Sequence, residues 1–171
     1  GLQECDEVLQ LMADNDHTRR VEGQYQGIFA DVSEATNSIR DRILTVMSVN
    51  KRIADGDLSN LEGLKKIGKR CENDELIPCY ISMMSNIEAL GEEFVKLGNA
   101  CEAGNLDYRA DTSAYEGAYK EAITAVNEAI DALVTPLNEA IRIVGEYSEG
   151  RLDARVSFET QGDFKVFANA L

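Results

Sequence analysis

The sequence predicts an all-α protein built from repeated helix–connector–helix units. Three observations predict it. Apolar residues recur at steps of three and four over long stretches. A Gly-x-Leu step closes three of these stretches, at Gly56, Gly104 and Gly150. One segment also occurs twice: Tyr25, Gly27, Phe29, Asp31, Ala35, Asn37, Asp41 and Ile43 share one offset with Tyr115, Gly117, Tyr119, Glu121, Ala125, Asn127, Asp131 and Leu133.

Composition agrees. A hydrophobic content of 44% is that of a globular chain. Two prolines, no tryptophan and abundant Ala, Glu, Leu and Ile suit helices. A net charge of −14 argues against nucleic acid and anionic membrane surfaces as partners, because both select basic patches. No apolar run reaches the roughly 18 residues that span a bilayer, so no membrane insertion is expected. Gly1 in place of Met, and an apolar pattern still running at Leu171, read as a segment of a longer chain.

The elements follow in order. A short amphipathic stretch holds Leu2, Cys5, Leu9 and Met12. Between residues 25 and 54 a broad face holds Ile28, Val32, Ala35, Ile39, Ile43, Val46, Val49 and Ile53. Residues 76–101 carry an unbroken seam of Leu76, Tyr80, Met83, Ile87, Leu90, Phe94, Leu97 and Cys101 at the coiled-coil period. A further seam runs Tyr119, Ile123, Val126, Ile130, Leu133, Leu137, Ala140, Val144 and Tyr147, straight through Pro136. A last helix begins near Asp163 with Phe164, Phe167 and Leu171. The three long helices are about 26 to 31 residues, or roughly 39 to 46 Å.

Each connector begins with glycine, which supplies a left-handed C′ residue at low cost. The leucine two residues on, Leu58, Leu106 or Leu152, is expected to pack back on the helices. Further apolar residues follow: Leu61, Leu64 and Ile67 in one connector, Val156 and Phe158 in another. The next helix then starts in an acidic or Gly-containing step, with Asp74 and Glu75, Glu116 and Gly117, or Asp163 after Gln161 and Gly162. Acidic groups suit a helix N-terminus through capping and the dipole. Antiparallel hairpins need only about 2 to 8 linking residues. These connectors are longer, and about 13 extended residues reach roughly 43 Å. Such a connector can run back along the first helix and start a second helix parallel to it.

Helix, Gly-x-Leu connector, acidic start and helix is the pattern of HAMP signal-relay modules. Residues 134–171 resemble that family most closely, through Pro136 early in the first helix, Gly150, Leu152 and Val156 in the connector, and "GDFKVFANAL" at the second helix. The resemblance divides the chain into four HAMP-like modules: 1–44 and 91–134, both divergent, 45–90, and 135–171, truncated in its second helix. In the first module the connector glycine is absent, and Asp14 stands in its place. The resemblance implies a homodimer in which each module is a parallel four-helix coiled coil. Such tandem arrays resemble those of methyl-accepting chemotaxis transducers. The implied role is to pass conformational change from an upstream sensor domain to a downstream output domain by changes in helix rotation or packing. A single helix pair would leave each seam half covered, which independently argues for a second copy.

Sites for chemistry are sparse. His17, the one histidine, reads as a solvated loop residue, and the paired acids Glu92 and Glu93 as a solvated face. Cys5, Cys71, Cys79 and Cys101 form no metal-ligand spacing and read as free thiols at helix-core positions in a reducing cytoplasm. No P-loop, dinucleotide fingerprint or di-iron motif is present. Neither an enzyme, nor a cofactor, nor a metal site is expected. Two alternatives stand beside the relay: a helical bundle that senses a ligand, and a static coiled-coil spacer.

Overall fold

A computed structural model describes residues 2–157 and 162–170. Among these residues it contains six α-helices and no strand: α1 (Leu2–Ala13), α2 (Ile28–Ala54), α3 (Leu61–Ile67), α4 (Leu76–Glu102), α5 (Gly117–Ser148) and α6 (Asp163–Ala170). The all-helical expectation holds. Phe158, Gln161 and Leu171, named in the sequence reading, lie outside the described residues. The chain divides into two compact units, Gly1–Ser85 and Asn86–Leu171.

In the first unit, α1 packs on the start of α2 around Cys5, Val8, Met12 and Val21, with Tyr25, Val32 and Ile43 at the margin. The thiol of Cys5 lies 3.5 Å from the Ser33 hydroxyl. Glu4, near the start of α1, holds the backbone of Glu22 at the far end of the connector. The connector has therefore returned to the beginning of α1, and α2 starts parallel to it. The last turns of α2 pack on α4 around Val49, Leu61, Leu64, Ile77, Tyr80 and Met84. Here the structure differs from an extended connector. Residues 61–67 fold into α3, whose Leu61 and Leu64 are buried while Ile67 is 51% exposed. Leucines three residues apart on a helix share a face, which is how one turn replaces an extended strand here.

In the second unit, α4 packs on α5 around Leu97, Ala110 and Ile123, with Leu90, Tyr108, Tyr115, Val126 and Ile130 beside them. Arg109 bonds Asp131, and Ala110 bonds Asn127 one turn earlier in α5, so this connector also descends against the next helix. After α5 the same order appears. Tyr147 donates to the Ala154 carbonyl, Arg142 to that of Arg155, and Glu139 accepts from the Ser157 amide. The connector runs back along the helix it left, and α6 then packs on α5.

The helix α5 is continuous through Pro136. Proline has no N–H for the Ala132 carbonyl, and its ring crowds that turn. The neighbouring Thr135 hydroxyl donates to the Asp131 carbonyl at 2.8 Å. Pro136 itself is buried.

The seams are covered on one side only. Along α4, Tyr80 and Leu97 are buried, whereas Leu76, Met83, Phe94 and Cys101 are exposed. Ile77 and Met84, which lie beside the strict seam, are buried instead. On α5, Leu133, Leu137, Ile141 and Val144 are 60, 42, 63 and 57% exposed. One partner helix can cover only the flank that faces it. The cysteines also depart from expectation. Cys5 is buried, but Cys71, Cys79 and Cys101 are exposed free thiols rather than core residues.

Candidate functional site

The features that recur at every helix pair are the helix C-cap, the connector and the following helix start. In α2, the Gly56 amide bonds the Ile53 carbonyl and the Asp57 amide bonds that of Arg52, at 3.0 and 2.8 Å. The same two bonds occur at Gly104 and Asn105, and at Gly150 and Arg151. This is the Schellman arrangement, which needs a left-handed residue at C′. Gly56, Gly104 and Gly150 supply it with φ of 76, 75 and 84°.

The first connector has the same cap, but its left-handed residue is Asn15, with φ of 62°. Asn15 and Asp16 bond the carbonyls of Met12 and Leu11. The position assigned to Asp14 therefore belongs to Asn15. Asparagine tolerates this backbone better than other residues with a Cβ.

Two residues after each C′ stand Leu58, Leu106, Leu152 and, in the first connector, His17. His17 is only 6% exposed, so it is not a solvated loop residue. It takes the place of the connector leucine, and its Nδ1 has no hydrogen-bond partner. Leu58 packs on the core around Met84, and Leu106 is half-buried. Leu152 is 70% exposed, so within one chain it anchors nothing. Val156 is half-buried.

The helix starts also vary. Asp74 caps α4: its Oδ1 accepts from the Leu76 and Ile77 amides and its Oδ2 from the Arg70 amide. Those amides, Arg70 foremost, hold its carboxyl below the usual aspartate value. Glu75 is exposed, and its carbonyl accepts from the Cys79 amide. Glu116 occupies the N-cap of α5 in an extended conformation without a side-chain cap bond. Gly117 (φ 54°) and Gly27 (φ 60°) turn the chain into α5 and α2. That common turn is what the repeated Tyr-x-Gly step encodes. Asp163 begins α6 and, with Leu133, Leu137, Phe164 and Phe167, lines a shallow, mainly apolar groove.

Carboxylates secure the connectors. Asp57 accepts from Arg52 at 2.8 Å and from the Ser59 amide at 2.9 Å, and these partners, Arg52 first, hold it well below the usual carboxylate range. Glu139 accepts from Arg142 and from the Ser157 amide, and its pKa falls from 4.5 to about 2 with Arg142 the larger cause. Glu93 is no solvated acid: its side chain is 15% exposed, bound to Lys96 at 2.6 Å and to the Tyr108 hydroxyl at 3.4 Å. Glu92 beside it is exposed, as expected.

An open polar groove lies over the first connector, lined in part by Arg20, Gln24, Glu34, Asn37 and Asp41. The Asn37 amide in this lining is already bonded to both backbone groups of Val21. No group of three or more His, Cys, Asp or Glu side chains able to hold a metal occurs among the described residues. Nor is any helix among them long and apolar enough to cross a membrane.

Helix pairs joined by returning, Schellman-capped connectors are thus the architecture of the described residues. Residues 114–171 match the sequence model of the HAMP domain family, and this match supports a HAMP domain there. The matched stretch starts just before α5 and takes in Pro136, Gly150, Leu152 and α6. HAMP domains generally act as signal-relay linkers in transducers and are not catalytic modules. No curated protein matches the chain.

Proposed function

We propose that the whole chain is a signal-relay segment of a dimeric transducer, with HAMP-like modules at 1–44, 45–90, 91–134 and 135–171. Two chains side by side would complete each helix pair into a parallel four-helix coiled coil. The observation that carries this reading is α5. It is the second helix of one pair, through Ile123 and Val126, and the first helix of the next, through Glu139, Arg142 and Tyr147. A rotation or shift imposed on one half of a continuous helix reaches the other half directly. The exposed stripe Leu133, Leu137, Ile141 and Val144 lies on that second half and gives a second copy its contact surface.

A relay needs two packings that differ by a few kcal/mol. Small or polar residues such as Ser33, Thr36 and Ala140, all buried, weaken any single packing. In this reading the input is a sensor domain upstream, the output a domain downstream, and the segment works in the cytoplasm. The transducer is of the methyl-accepting chemotaxis type or a relative of it.

The test is deletion of Thr135–Asn138 in a receptor carrying this segment. The deletion removes about one turn together with Pro136, so residues beyond it change phase with those before it. Locked or inverted output, with the segment still helical and dimeric, is expected. Unaltered signal-dependent output would refute the relay.

A further inference from the structure

Glu4, Glu93 and Glu139 each stand eleven residues before a left-handed cap, at Asn15, Gly104 and Gly150. Each reaches a connector. Glu4 accepts from the amides of Glu22 at 2.9 Å and Gly23 at 3.4 Å, and from the Tyr25 hydroxyl. Glu139 accepts from the Ser157 amide at 2.8 Å, and Glu93 from the Tyr108 hydroxyl at 3.4 Å. From the other side come two asparagines of the following helices. Asn37 accepts from the Val21 amide and donates to its carbonyl, both at 2.9 Å. Asn127 does the same to Ala110, at 3.0 and 2.9 Å.

We propose that the connectors after Asn15 and Gly104 are straps, each fastened between the two helices of its pair by a glutamate of the first and an asparagine of the second, so that neither helix shifts without moving the other's fastening. The first pair shows the complete strap. The Val21 amide bonds Asn37 of α2 and the next amide, that of Glu22, bonds Glu4 of α1, while the Val21 side chain is buried at 4% exposure. One asparagine satisfies both backbone groups of one residue, which fixes that residue along the helix axis as well as toward it. The second pair has Thr45 at the glutamate position and is held by the apolar face of α3 instead. The strap stands on the geometry of a single chain, so it is independent of the dimer and of the relay.

Amide exchange measured by NMR on the full chain tests the coupling. Asn37→Leu removes one fastening and Glu4→Met the other, each at similar size. Linked fastenings obey reciprocity. Glu4→Met is expected to lower protection of the Val21 amide, which Glu4 does not touch, by about tenfold, the scale of one hydrogen bond. Asn37→Leu should do the same at Glu22, and the double variant should lose little more than either single one. If each substitution deprotects only its own partner amide and the two losses multiply, the strap does not couple the helices. Should either variant unfold α1, the third pair decides. There Tyr108→Phe is expected to deprotect the Ala110 amide, and unchanged protection would overturn the proposal.

Discussion

Truncating the exposed stripe of α5 separates what one chain buries from what a second copy must bury. Leu133 is 60% and Leu137 42% exposed even with α6 packed beside them. Together they leave about one leucine's worth of side chain in water. Full burial of a leucine contributes about 2 kcal/mol. A partner that covered both would therefore add about 2 kcal/mol per chain and about 4 kcal/mol per dimer from this contact alone. Replacing both by alanine removes most of that, and the dissociation constant should rise by about a hundred- to a thousandfold. Sedimentation equilibrium over a dilution series measures it, and far-UV circular dichroism checks that the helices survive. Ile123→Ala is the control: Ile123 is fully buried within the chain, so this change should cost about 2–5 kcal/mol of folding stability whether or not a partner is present. If the wild-type chain is monomeric at high micromolar concentration, or if the leucine variant associates as tightly as the wild type, the stripe is not a dimer surface.

Three further outcomes are expected. Leu61→Ala, at 2% exposure, should destabilise the first unit by about 2–5 kcal/mol in urea titrations, whereas Leu152→Ala, at 70% exposure, should change a monomeric chain by less than about 0.5 kcal/mol. A large effect of Leu152→Ala would show that a partner covers it. Gly104→Ala should cost about 1–2 kcal/mol through its left-handed backbone alone, since a Cβ there meets no atom within 4 Å, and Asn15→Gly should stabilise, both read from thermal melts. Glu139 has a folded pKa depressed from 4.5 to about 2. Its stabilising contribution is present above about pH 4.5 and is lost as pH falls toward 2. Exchange of the Ser157 amide should accelerate over that window relative to its intrinsic rate, and Glu139→Gln should remove the pH dependence.

The sequence by itself determined the three long helices and where they stop. Period and cap chemistry are local, so the seams, Gly56, Gly104, Gly150 and the start at Asp163 could be read without a fold. The length of the connectors also implied their return, because two parallel helices cannot be joined by a short turn. Tertiary structure decided which apolar residues meet. The strict seam of α4 is half exposed while Ile77 and Met84 beside it are buried, since one neighbouring helix selects one flank of a stripe. It decided that residues 61–67 coil into α3 rather than extend. It also moved His17 and Glu93 out of solvent. A lone polar residue in a polar run carries no periodic signal, and its burial depends on what folds over it. The asparagines were visible as a repeated pair, Asn37 and Asn127, but their partners were not. Val21 and Ala110 lie far from them in sequence, and only the returning connector brings each backbone amide within reach of its side chain.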